Sequence, residues 1–77
     1  MQVQLLVTRT DFSTANLDQE FRDLGVSYEL LYIEDHPDLV AAHGIQHSPC
    51  ILVNGRLAFR EQPTENQLRE YFSRLGQ

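Results

Sequence analysis

The sequence predicts an α/β domain in which a four-stranded mixed sheet is flanked by helices, and three observations carry that prediction. Residues 3–8 are apolar on both strand faces, as a central strand covered on each side must be. Two separated segments repeat apolar residues at helical spacing. Two short strand-like runs are joined by Asn54-Gly55, the strongest short signal for a tight hairpin.

The elements follow in order. Residues 3–8 form the first strand. After Arg9-Thr10-Asp11, Leu17, Phe21 and Leu24 recur at i, i+4 and i+7, with Asp18, Glu20, Arg22 and Asp23 on the other faces. That helix has Asp11, Ser13 or Thr14 as candidate caps, and Gly25 can end it in the left-handed conformation. Residues 26–33 carry Tyr28, Leu30, Leu31, Tyr32 and Ile33 and read as a second strand. Residues 9–25 are long enough to cross over between parallel strands, which makes a βαβ unit. Asp35-His36-Pro37 caps a short helix over 38–43 that stops at Gly44. Residues 50–53 and 56–59 form the hairpin. Thr64-Glu65-Asn66-Gln67 is a capping box, and Leu68, Phe72 and Leu75 make the stripe of a last helix. The order is βαβαββα within one domain, residues 1–77. Strands one and three are expected at the centre. The second strand and residues 56–60 are expected at the edges, with Arg56 and Arg60 guarding one of them.

Composition bounds the function. Seventy-seven residues, 42% of them hydrophobic, suffice for one modest core. A net charge of −5 repels phosphate backbones and anionic membrane surfaces, which speaks against nucleic-acid and membrane partners. The amino-terminal apolar stretch carries no basic leader and is too short for a membrane span, so a cytoplasmic protein is expected. One cysteine leaves no internal disulfide framework. His43, Gln46, His47 and Cys50 bring ligand types close together, but Gly44 separates the histidines from a common helical face, and no metal site is expected.

The order of elements, together with the strand end Thr8-Arg9, the phrase Gly25-Val26-Ser27-Tyr28-Glu29-Leu30, the segment Gly44-Ile45-Gln46-His47-Ser48-Pro49 and the run Ile51-Leu52-Val53-Asn54-Gly55, resembles the thioredoxin-like superfamily and its smallest glutaredoxin-like members. The resemblance covers nearly the whole chain. It implies that the Ser48-Pro49 bond is cis, a form that about 5% of X-Pro bonds adopt in folded proteins, and that this proline lies beside the active site. It also implies an attacking cysteine at the amino end of the first helix, where orphan N–H groups and the helix dipole stabilise a thiolate. Aligned on Thr8-Arg9, Phe12 stands where that cysteine belongs and Ala15 where the resolving one would be. Dithiol–disulfide oxidoreductase activity is therefore not expected.

Cys50 is the one candidate thiol. It has neither a helix amino terminus nor an adjacent basic residue in the sequence to activate it, and it reads either as a small apolar residue packed in a strand or as a partly exposed thiol that reacts with glutathione or small disulfides. Ser13 and Thr14 read as caps rather than substitute nucleophiles, because no positioned base accompanies them. Arg9 matches the position where many glutaredoxins place a lysine near the glutathione carboxylate; its other reading is a loop charge paired with Asp11. Arg60-Glu61-Gln62-Pro63 replaces the glycine-rich turn and acidic pair that complete that site. Phe12 is either an exposed contact residue or a staple folded onto the core. The expected function is a non-catalytic binding module, a monomer or weak dimer without a cofactor, whose former active face of Arg9, Phe12, Ser13, His47, Ser48 and Pro49 takes a protein or peptide. The alternative is a glutaredoxin-like thiol protein acting through Cys50.

Overall fold

The computed structural model describes residues 1–75. Its elements are β1 (Val3–Val7), α1 (Thr14–Asp23), β2 (Glu29–Tyr32), a 3-10 turn (Ile33–Asp35), α2 (Pro37–His43), β3 (Cys50–Val53), β4 (Arg56–Phe59) and α3 (Glu65–Arg74). The strands form one mixed sheet in the order β2-β1-β3-β4. β1 runs parallel to β2, with Leu5 opposite Leu30, and antiparallel to β3, with Leu5 opposite Ile51. β3 and β4 pair antiparallel, with an irregularity between Ile51 and Leu52.

Strand alternation sorts the side chains of β1 and β3 between two cores. Val3, Leu5, Val7, Ile51 and Val53 meet Leu17 and Phe21 of α1 and Leu68 and Phe72 of α3. Leu6, Cys50 and Leu52 point to the other side, where Ile45 and the half-buried Leu39 and Val40 cover them. The helices thus lie on both sides of the sheet. None of them, among the described residues, is long and apolar enough to cross a membrane.

Local chemistry explains the boundaries. Asn54 and Gly55 both take positive φ, 52° and 80°, which the twist of a two-residue hairpin requires. Thr64 and Gln67 close a reciprocal capping box: the Gln67 N–H donates to Thr64 Oγ1 at 3.1 Å and the Thr64 N–H to Gln67 Oε1 at 2.8 Å.

Several expectations need correction. The second strand begins at Glu29, not residue 26, because the turn out of α1 takes the Val26 N–H. Gly25, at φ 69°, lets its own N–H reach Arg22 O at 3.1 Å and lets Val26 reach back to Phe21 O at 2.9 Å, the paired bonds of a Schellman ending. Val26 is buried against the helix it has just left. Ile33 belongs to the 3-10 turn rather than to β2. Leu75 lies beyond α3 and is exposed, so the stripe of that helix ends at Phe72. His36, at the amino end of α2, makes no side-chain cap, although Pro37 fills the first helical turn as expected.

Candidate functional site

The loop leading into α1 and the loop leading into β3 meet beside the end of β1. Asp11 joins them. Its Oδ1 accepts the Ser13 N–H at 2.8 Å and the Ser13 hydroxyl at 2.5 Å, and its Oδ2 accepts the Ser48 hydroxyl. The Ser48 oxygen in turn accepts the Thr8 N–H at 3.0 Å. Asp11 also donates its own N–H to Thr8 O at 3.1 Å, and the Thr14 hydroxyl donates to Asp11 O at 3.3 Å. Burial works against the charge on Asp11, but the hydrogen bonds from Ser13 and Ser48 outweigh it and hold the carboxyl below its ordinary value.

This arrangement corrects the capping assignment. Ser13 is the N-cap of α1 by position, yet its side chain makes no cap bond; it turns back to Asp11. Asp-x-Ser is the spacing of a side-chain-closed turn, and that signal was available in the sequence. A carboxylate held in its charged form is a weak base, so the contact gives Ser13 no activated hydroxyl.

Phe12 follows Asp11 in this loop and is 96% exposed, which removes the staple reading. Ala15, in the first turn of α1, is exposed too. On the facing loop the Ser48-Pro49 bond is cis, Pro49 is buried, Ser48 is half-buried and His47 is exposed. Since Asp11 holds Ser48, Phe12 and His47 stand on neighbouring loops. Pro49 shapes this face from beneath rather than presenting its ring. A shallow groove of about 160 Å³ next to this junction has Thr8, Ile33, Ile45, Gln46, His47 and Ser48 along its walls.

Arg9 does not pair with Asp11. Its guanidinium is bonded to Asp35 and lies 4.5 Å from the centre of the Tyr32 ring, while its N–H donates to Glu34 Oε2 at 3.0 Å. It braces the end of β1 against the 3-10 turn, in an ion pair whose two side chains are both about half exposed.

Cys50 is 1% exposed. Its thiol donates toward His47 O, at 2.8 Å, and Arg60 O, at 3.3 Å. Burial pushes the thiol above its ordinary value, against the opposing influence of the His47 backbone and the charge of Arg60. Both contacts run to carbonyl oxygens. The His47 carbonyl is thereby turned toward Cys50, not outward as an extended partner would need. Arg60, ten residues along the chain, is the basic neighbour that the sequence did not place beside Cys50. The cleft over the thiol, between His47, Leu57 and Arg60, holds about 140 Å³, below the ~300 Å³ at which pockets for small molecules begin. Among the described residues no three histidine, cysteine or acidic side chains converge as metal ligands.

Compared with protein-family models, curated proteins and solved structures, the chain gives no match.

Proposed function

We propose that the chain is a non-catalytic binding module of the thioredoxin-like, glutaredoxin-like kind, which holds a peptide segment of a partner protein through side-chain contacts on the face formed by Phe12, Ser13, His47 and Ser48. The observation that carries this reading is the 96% exposure of Phe12 on a loop fixed by Asp11. An aromatic side chain left in water on a rigid loop loses little conformational freedom on binding and is the residue type that most often anchors an interface. The adjoining groove of about 160 Å³ suits one or two side chains of a peptide and is too small for a cofactor.

The sheet order β2-β1-β3-β4, with helices on both sides and a cis proline ahead of β3, supports the family reading. The absence of a thiol at residues 12 and 15, and the burial of Cys50, support a binding role over thiol chemistry. A cytoplasmic setting belongs to the same proposal, because a lone free thiol persists where disulfides are kept reduced.

The test is selection of a random-peptide library on the immobilised full chain, followed by calorimetric titration of a selected peptide. Phe12→Ala is expected to weaken binding by about thirtyfold, the loss typical of an interface anchor, and Cys50→Ser to leave it unchanged. Failure to enrich any peptide, or equal affinity for Phe12→Ala, would overturn the reading. Turnover of hydroxyethyl disulfide that Cys50→Ser abolishes would put the thiol reading in its place.

A further inference from the structure

Asp11 ties two loops together through its carboxylate. Three donors converge on its two oxygens, and they come from two places: the N–H and hydroxyl of Ser13 at the start of α1, and the hydroxyl of Ser48 from 37 positions further along. Ser48 passes the connection to the Thr8 N–H at the end of β1. Apolar packing holds the ends of loop 46–49, at the buried Ile45 and Pro49, but not its outer side. Phe12 points to solvent, His47 is exposed, and α2, which leads into the second loop, has no buried residue.

We propose that Asp11 is the positioning residue of the binding face: its ionised carboxylate fixes loop 46–49 against the start of α1 and so sets the separation of Phe12 from His47. The proposal rests on the binding function proposed above for its purpose, and on the hydrogen-bond geometry alone for its mechanism. With the carboxylate charged, all three donors are satisfied by one group. Protonation or replacement by an amide leaves one oxygen to accept from Ser13 but puts a donor on the Ser48 side, where the hydroxyl must turn round to accept it, so the charge-assisted bonds become neutral and weaker.

The charged groups on the neighbouring elements do not supply a substitute. Arg9 is engaged by Asp35 and the Tyr32 ring, Glu34 accepts the Arg9 N–H, and His47 lies on the outer side of Ser48's loop in solvent. The partners of Asp11 are two hydroxyls and an N–H, so the lock opens with Asp11's own proton. Its carboxyl is held below 3.8, so the lock is fully present above that value and is lost as the pH falls through the lower, folded-state value.

The experiment follows amide hydrogen exchange and chemical shifts by NMR in the full chain, comparing wild type with Asp11→Asn and Ser48→Ala at neutral pH. Exchanging a charge-assisted bond for a neutral one corresponds to a factor of about three to thirty, so exchange at Thr8 and Ser13 is expected to rise by that factor in Asp11→Asn. Shifts at 46–48 should move while β1 and β3 stay protected. Ser48→Ala, which removes only the bridge, is expected to free Thr8 and leave Ser13 protected. In wild type the shifts of 46–48 should follow the titration of the Asp11 carboxyl below 3.8, and in Asp11→Asn that dependence should vanish. Unchanged exchange at Thr8 and Ser13 in Asp11→Asn, or shifts at 46–48 that titrate the same way in both proteins, would overturn the proposal. The readout involves no peptide, so a failure to bind peptides would leave it standing and count only against the binding function. If peptides are bound, Asp11→Asn should lower affinity several-fold with Phe12 intact.

Discussion

The two sides of the sheet are built differently. Beneath α1 and α3, ten side chains of the described residues are buried together, and Phe21, Tyr28, Phe72 and Tyr71 form a run of tilted and edge-on aromatic contacts from 4.8 to 6.0 Å apart. Beneath α2, among the described residues, the buried cluster is Leu6, Ile45, Cys50 and Leu52, and their neighbours Leu31, Ile33, Leu39, Val40 and Leu57 are partly open. The first side can hold its shape by packing, since each of its groups is closed in by apolar neighbours. The second side has fewer such groups. Its loops are held by polar ties as well: Asp11 to Ser48, Arg9 to Asp35, and Cys50 to the carbonyls of His47 and Arg60. The candidate site lies where the two sides meet, at the end of β1, since Phe12 and Ser13 lead into α1 and His47 and Ser48 follow α2, and its exposed side chains can change contacts without dismantling the larger core.

The comparison is most directly broken by truncating each side in turn. Phe21→Ala opens a cavity among fully buried aromatic and aliphatic groups and is expected to cost about 3–5 kcal/mol, a large part of the stability of a domain this small. Leu39→Ala, on the half-open side, is expected to cost about 1 kcal/mol, because that side chain is only partly buried. Urea denaturation read by circular dichroism measures both. Equal losses would show that the α2 side carries as much of the fold as the other.

The second test concerns Cys50, which lies on the thinner side yet is covered. Its alkylation in the native protein at neutral pH is expected to be about a hundredfold slower than in the urea-unfolded chain, since the thiol must be uncovered before it reacts. The rate should keep rising with pH up to and beyond 9.0, the thiol's ordinary value, because burial holds the folded group above it. Stopped labelling with mass-spectrometric readout settles the point. A native rate within a few-fold of the unfolded one would mean that the α2 side opens freely. An apparent pKa near neutrality would mean that Arg60 activates the thiol.

What could be read from the sequence divides along the same line. α3 was legible because its cap, Thr64 with Gln67, and its buried stripe, Leu68 and Phe72, are all local. The hairpin was legible because Asn54-Gly55 specifies its own turn. The ties around the candidate site join residues far apart in sequence: Asp11 with Ser48, Arg9 with Asp35, Cys50 with Arg60. A side chain in a polar loop has several partners of equal chemical merit, and only the packing of the strands decides which one comes within reach. That is why Arg9 was matched with Asp11, its neighbour in the chain, when β2 and the 3-10 turn deliver Asp35. The length of β2 was misread for a related reason: Val26 has strand propensity, but the helix ending took its N–H first.

Thr64→Ala sharpens the comparison at smaller scale, since it leaves both cores intact and removes only the capping box of α3. The Gln67 N–H loses its acceptor, and Gln67 Oε1 is left to hold the Thr64-position N–H alone. A loss of about 1 kcal/mol is expected, between those of Leu39→Ala and Phe21→Ala or equal to the smaller. A negligible change would mean that α3 is held by Leu68 and Phe72 without help from its start.

The smallest effect is expected at Glu20, and its sign is opposite. Glu20 sits on α1 at the margin of the well-packed side, where its Oε2 is buried with no hydrogen-bond partner. Burial, with the like charges of Glu65 and Asp23 adding to it, raises its carboxyl above the ordinary 4.5. The folded chain therefore holds this proton more tightly than the unfolded one. Stability from this group falls as the pH rises from 4.5 through the raised value, and above that the charge is a standing cost. Glu20→Gln keeps the shape, removes the charge and supplies an amide that needs no ionic partner, so it should stabilise the protein at neutral pH. The gain should shrink as the pH is lowered toward 4.5, where wild type protonates the same carboxyl. Thermal unfolding of the two proteins across that range measures the difference. A destabilised Glu20→Gln at neutral pH would show that the carboxylate finds a favourable partner in solution, and that the well-packed side is held by charge as well as by packing.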